Sequence, residues 1–239
     1  MTDLRCLPCG DRALTIELGD TIDLALNRRV LALAQALNSL SGVVETVPTY
    51  RSLLVEFDPA RLTPDEIVAC ARAAPVSTDA TRMVRRVTLP TVYGGEYGPD
   101  LAHVAEVHAL SVDEVIDIHT GRDYPVFMLG FSPGFPYLGG LDERIATPRL
   151  DRPRTKVPAG SVGIADRQTG VYPQSTPGGW QIIGRTPAPL FDPRAAEPVL
   201  LRAGDLLRFR RVTADEYEAI VAAVGAGRYT PETEVVAGA

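Results

Sequence analysis

The sequence predicts an α+β protein: a small α+β sandwich over residues 1–80, a β-rich barrel over 82–226 and a short tail over 227–239. Three observations lead there. Helix and strand periodicities alternate up to the polar stretch 75–81, short β-type runs punctuated by Gly and Pro dominate beyond it, and capping motifs mark the few helices of the second part. Many short strands with few helices favour a closed or nearly closed barrel.

In the first part, residues 13–18 read as a strand. Ile22, Leu26, Val30, Leu33, Leu37 and Leu40 then recur at steps of three or four, one apolar helix face, and Gly42 follows as a stop. Residues 43–47 and 50–57 read as strands around the break Pro48-Thr49. Thr63, Pro64 and Glu66 open a helix with a capping box and a proline in its first turn. In the second part, strands are expected over 83–92, 125–129, 162–165, 180–184, 199–202 and 205–212. Helices are expected over 100–107, from Ser111 with Glu114 in its capping box to about 119, and from Thr213 with Glu216.

Composition narrows the function. Of 239 residues, 45% are apolar and 23% charged, with mean hydropathy +0.03, ordinary values for a globular protein. A net charge of −6 argues against a nucleic-acid partner. No apolar run reaches the roughly 18 residues of a membrane helix and no signal peptide opens the chain, so a cytoplasmic location is expected. Three cysteines (Cys6, Cys9, Cys70) are too few for a disulfide framework and fit a reducing compartment. Arginine outnumbers lysine 23 to 1, read here as base composition of the coding genome.

Residues 130–190 stand apart. They hold 10 of the 21 glycines and 9 of the 20 prolines, yet also Phe131, Phe135, Tyr137, Tyr172 and Trp180. Disordered segments lack such residues, so these are rigid loops, in which Gly permits close backbone approach and Pro fixes the path. Seven basic residues (Arg144, Arg149, Arg152, Arg154, Lys156, Arg167, Arg185) face four acidic ones (Asp142, Glu143, Asp151, Asp166), which suggests a site for an anion or carboxylate. The plainer alternative is that Gly and Pro turn barrel corners and the arginines solvate them.

Sharper motifs fail on their chemistry. Gly130-Phe131-Ser132-Pro133-Gly134 fits G-x-S-x-G, but the residue after the serine must donate a backbone N–H and Pro133 has none. Cys6-Leu7-Pro8-Cys9 lacks a second ligand pair for zinc, and no metal site is expected. No phosphate loop occurs. Of the histidines, His103 and His108 read as surface residues. His119 lies at a helix C-terminus, where it either favours the dipole or serves the chemistry.

The window nevertheless carries a resemblance. The run from Leu129 through Gly130-Phe131-Ser132-Pro133-Gly134-Phe135-Pro136-Tyr137-Leu138-Gly139-Gly140 to Leu141 resembles the GFxPGFPYLGGL motif of the 5-oxoprolinase B-subunit family. That family is also called allophanate hydrolase subunit 1 or the sporulation kinase-inhibitor family. Pro148-Arg149, Pro153-Arg154, the segment from Val157 to Ile164, Gln168 to Pro173, Thr176-Pro177-Gly178-Gly179-Trp180 and Gly184-Arg185-Thr186-Pro187 follow in family order. Outside the window, Tyr93-Gly94-Gly95-Glu96, Gly98-Pro99-Asp100-Leu101 and the segment from Pro48 to Val55 also resemble it. The likeness spans about residues 10–212. Asp166 departs from it, standing where the family often has Gly, and the family requires neither Ser132 nor Lys156.

The resemblance implies a cyclophilin-like barrel and a site shared with the carboxyltransferase-like 5-oxoprolinase C subunit (allophanate hydrolase subunit 2), in a hetero-oligomer that also includes the A subunit. That complex opens the lactam 5-oxo-L-proline to L-glutamate with ATP, bound by the complex with Mg. The alternatives are a non-catalytic inhibitor of a sensor histidine kinase and a component of urea- or allophanate-type chemistry. On this reading Arg149 or Arg154 holds the substrate carboxylate, with His119 as a third catalytic candidate. Gly178, Gly179 and the N–H groups of Gly160 and Ser161 face developing negative charge, and Phe131, Phe135, Tyr137, Tyr172 and Trp180 wall the pocket.

Overall fold

A computed structural model describes residues 4–74 and 83–238, which divide into two compact units, one within residues 1–82 and one over 83–238. The polar stretch 75–81 lies outside the described residues.

The first unit contains β1 (Arg5–Pro8), β2 (Ala13–Glu17), α1 (Leu24–Leu37), β3 (Val43–Pro48), β4 (Ser52–Phe57) and α2 (Pro64–Ala73). The strands form an antiparallel sheet in the order β1-β2-β4-β3. Alternate residues of β2 and β4 (Leu14, Ile16, Leu53, Val55, Phe57) pack with Leu26, Val30, Leu33 and Leu37 of α1 and Ile67 of α2. The Asp23 carboxylate accepts the Leu26 N–H at 2.8 Å and so starts α1 at Leu24, two residues beyond Ile22, which is exposed instead of heading the apolar face. Strand β1, which carries Cys6, is an addition to the order expected.

The second unit contains β5 (Met83–Tyr93), α3 (Leu101–Val107), α4 (Val112–Thr120), β6 (Asp123–Leu129), β7 (Pro136–Leu138), a 3-10 turn (Glu143–Ile145) and β8 (Arg154–Val157). It continues with β9 (Ser161–Ala165), β10 (Gln168–Val171), β11 (Thr176–Gly178), β12 (Gln181–Arg185), β13 (Leu206–Arg211), α5 (Ala214–Gly225) and β14 (Glu232–Ala237). Seven strands run β12-β9-β10-β7-β6-β13-β5, and β5 pairs back to β12, which closes a barrel. Val87, Leu89, Val126, Leu138, Val162, Ile164, Val171, Ile183, Leu207 and Phe209 share one core with α3 and α4. The β8–β11 pair forms a separate ribbon.

Two expectations change here. Residues 199–202 are not a strand: only Val199 makes a bridge, to Phe191, because Pro198 precedes it and the Asp205 carboxylate closes a turn onto the Arg202 N–H. The segment expected as a tail beyond 226 contains β14, which pairs along β5 from Met83 to Thr88 and is fastened by Glu234 to Arg86 at 2.6 Å.

Candidate functional site

The outer face of β9 and β10 is built from small residues. Gly163, Ala165 and Gly170 leave a flat bed, and the Trp180 ring lies on it so closely that a Cβ at Gly170 would stand 2.9 Å from the indole. Phe135 stands at the centre of the layer that results. Its ring meets Trp180 at 5.5 Å, Tyr172 at 5.4 Å and Phe131 at 5.5 Å edge-on, and Tyr137 at 5.2 Å. The five aromatic residues singled out in the sequence are therefore one cluster. They do not line an open pocket together: Phe135, Tyr172 and Trp180 are buried with Val157, Ala165 and Ile182 as a second small core, because the glycine bed lets them collapse onto the barrel. Tyr137 is half-buried and Phe131 is 66% exposed.

Phe131 is also strained. The Ser132 N–H donates to the Gly130 carbonyl at 2.6 Å across a three-residue turn whose central φ is +62°. A turn of that hand is rare, and a bulky residue adopts it at a cost. Two further hydrogen bonds, Gly130 N–H to the Phe135 carbonyl and Phe135 N–H to the Ser132 carbonyl, lock the loop. Strain that the surroundings enforce is characteristic of functional loops.

Part of the basic excess of the window is neutralised. Arg122 and Arg144 both pair with Asp142, whose carboxyl is held down at about 2 chiefly by Arg144. Arg167 pairs with Glu143. Arg154 is a structural arginine and not a free anion receptor: it donates to Asp100 Oδ1 at 2.6 Å and to the Trp180 carbonyl at 3.3 Å. Asp100 in turn accepts the Ile182 N–H at 2.6 Å, so the pair ties β8 to β12 and to the start of α3. Arg149 differs. Its side chain is 59% exposed and its ion pair to the exposed Asp166 spans 3.8 Å. Burial pushes the nearby Tyr172 hydroxyl up, while Arg149 and Arg154 act in the opposite sense.

The backbone donors proposed at Gly160 and Ser161 are already committed. Gly160 N–H donates to the Tyr172 carbonyl at 2.7 Å and Ser161 N–H to the Pro158 carbonyl at 3.3 Å. Gly160, at φ +79°, is sterically required, since a Cβ would stand 2.2 Å from the Thr186 carbonyl. Gly178 is required by the Tyr172 hydroxyl, 2.4 Å from where a Cβ would be. Gly179 has ordinary room around it and accepts the Leu150 N–H.

His119 belongs to the barrel interior. It is fully buried against Phe209, Tyr124 and Tyr93. Thr169 Oγ1 donates to the Gly163 carbonyl and so accepts from His119 Nε2–H, which leaves Nδ1 to accept the Tyr93 hydroxyl at 2.8 Å. Burial lowers the imidazole to about 3, and neither ring nitrogen is left for a substrate. A catalytic role is corrected to a structural one.

Comparison with known proteins now decides the family. The profile of the carboxyltransferase domain, subdomain C and D, matches residues 4–201. A Bacillus subtilis (strain 168) protein named as the B subunit of 5-oxoprolinase is 46% identical over 224 residues, covering 88% of this chain and 93% of its own. This chain belongs to the 5-oxoprolinase B-subunit family. Among solved structures, TTHA0988 matches with a TM-score of 0.76 and 36% identity over 85% of this chain, which spans 40% of that longer one. The Kluyveromyces lactis urea amidolyase matches 98% of this chain, itself 16% of that one, with a TM-score of 0.77 at 23% identity, a likeness of fold.

In this family member, Phe131 and Tyr137 meet through Phe135, and Arg149 is exposed one residue before Leu150, whose N–H donates to the Gly179 carbonyl beside the ribbon. Sequence reasoning missed Asp100, which is half-buried, and Thr169 and Gln181, which are buried; all three are polar and act by holding other groups. Asp100 was within reach, since it sits in a quoted family segment one residue before a helix. Also unforeseen is a cleft of about 600 Å3 between Tyr93-Gly94-Gly95-Glu96-Tyr97 and Arg211-Val212-Thr213. No helix among the described residues is long and apolar enough to cross a membrane, and no three of them form a metal-binding group of His, Cys, Asp or Glu.

Proposed function

We propose that this chain is the B subunit of an ATP-dependent 5-oxoprolinase and contributes the carboxylate-binding part of a site completed by homologues of the C and A subunits. The observation that carries this reading is the exposed guanidinium of Arg149, near enough to the Tyr172 hydroxyl of the aromatic layer to act on it, while Arg144, Arg154 and Arg167 of the same window are tied to carboxylates. A guanidinium grips a carboxylate in bidentate geometry, the feature that 5-oxoproline keeps on both sides of the reaction. Phe131 and Tyr137 would cover the apolar edge of the ring and exclude water.

The chemistry needs such help because an amide carbonyl is a poor electrophile. The described residues do not fit ATP itself: no glycine-rich phosphate loop occurs, and most of the window's arginines already have acidic partners. In this reading ATP belongs on a partner protein of the complex, and this chain binds and orients the lactam. The test is co-expression with homologues of the C and A subunits, followed by glutamate release from 5-oxoproline. Glutamate that requires both ATP and this chain is the expected result. A well-formed complex that releases none would overturn the reading in favour of urea-type chemistry.

A further inference from the structure

We propose that Gln181 is the positioning residue of Arg149, an inference that rests on the carboxylate-binding reading above. Arg149 lies in an irregular stretch between the 3-10 turn and β8, where no ladder fixes the backbone. Several ties replace one, among them a hydrogen bond of 3.1 Å between His108 Nε2 and the Thr147 hydroxyl. Thr147 bridges to Asp166, the Gln181 Nε2 donates to the Pro148 carbonyl at 2.9 Å, and the Leu150 N–H donates to the Gly179 carbonyl at 2.7 Å. They hold the residues on both sides of Arg149, so its Cα is fixed while its exposed guanidinium has only the long contact to Asp166. Of the ties to the residues flanking Arg149 directly, Pro148 and Leu150, the one from Gln181 is made by a side chain.

Gln181 is an unusual residue for that place. It is 3% exposed at the start of β12, whose following residues Ile182 and Ile183 pack into the two cores of the barrel unit. Its Oε1 has no hydrogen-bond partner. The Pro148 carbonyl demands a donor, so the amide is oriented with its oxygen unpaired. An apolar side chain of the same size would avoid that buried acceptor, and exposed Pro148 has water within reach. Stability alone therefore does not explain a glutamine here. Holding the Arg149 backbone on a rigid strand does, because a binding group works through preorganised geometry.

The test compares Gln181→Leu, Arg149→Ala and the double variant in the assembled complex, with trypsin cleavage of the full chain after Arg149 as a second readout. Gln181→Leu should raise KM for 5-oxoproline about fivefold to tenfold and leave kcat within about twofold, the signature of lost uniform binding. It should also speed cleavage of the Arg149–Leu150 bond while cleavage after Arg228 stays unchanged. On the Arg149→Ala background, Gln181→Leu should add nothing to KM, which a general loss of structure would not reproduce. Unchanged KM in Gln181→Leu with a raised KM in Arg149→Ala sinks the positioning role alone. Unchanged KM in Arg149→Ala removes the carboxylate-binding reading, and the inference with it. Unaltered cleavage after Arg149 in Gln181→Leu overturns the positioning role whatever the turnover shows.

Discussion

The barrel interior and the aromatic layer outside it treat polar groups in opposite ways. Inside, Tyr93, His119, Thr169 and the Gly163 carbonyl form an unbroken chain in which every donor meets an acceptor. Outside, Ser132, Ser161 and Thr176 each keep a buried polar atom without a partner, as does Gln181 on the core-facing side of β12, and Phe131 is held in a strained turn. The four uncharged side chains with such orphaned atoms among the described residues all fall within 130–181. A satisfied network specifies one packing and is finished. An unsatisfied, strained surface is costly by itself and gains its reason from something that binds there.

The interior is the place to break most. His119→Ala removes a buried ring and leaves the Tyr93 hydroxyl without its acceptor, so it should cost about 3–5 kcal/mol in urea unfolding. The wild-type histidine also makes stability pH-dependent. Its folded value lies near 3, below the unfolded value of about 6.5, so the unfolded chain takes the proton first. Stability from this group is complete above about pH 6.5 and falls by about 1.4 kcal/mol per unit as the pH drops toward 3. A His119→Gln variant should show a flatter Tm profile between pH 6 and 4.5, and an equal slope would remove His119 as the cause.

The two arginines sharpen the comparison further. Arg154→Ala breaks a half-buried pair with Asp100 and should cost about 2 kcal/mol. Arg149→Ala should leave Tm unchanged and raise KM for 5-oxoproline about tenfold in the complex, a division that reversed effects would contradict. The smallest effect concerns Phe131. Phe131→Gly and Phe131→Ala lose the same ring, but only glycine suits φ +62°, so the glycine variant should be more stable by about 1 kcal/mol. Equal stability would show that the turn stores no strain.

What the sequence revealed follows from the range of the forces involved. The capping boxes at Thr63, Ser111 and Thr213 are local and stand where expected. The aromatic residues were visible as a group because they crowd one Gly- and Pro-rich window. Their burial was not, since it depends on Gly163 and Gly170 lying under Trp180 on different strands. Arg149 and Arg154 look alike in sequence, five residues apart. Asp100, some fifty residues earlier, distinguishes them, and no local pattern reports a partner at that distance. Strands β7, β8, β10 and β11 were missed because three or four residues carry too little alternation to read.

Strand β5 opens the second unit, yet it takes its neighbours from β12, β13 and β14, more than ninety residues further along. During synthesis the barrel therefore stays open until residues 206–211 have left the ribosome, and β5 is covered along its first half only when residues 232–237 follow. The first unit has all its strands and both helices by residue 73 and meets no such delay. Slow, long-range closure of this kind exposes unpaired strand edges to other chains in the meantime. Overproduction is thus best judged by the solubility of the second unit, and shortening the chain before residue 237 is a poor choice for any expression experiment.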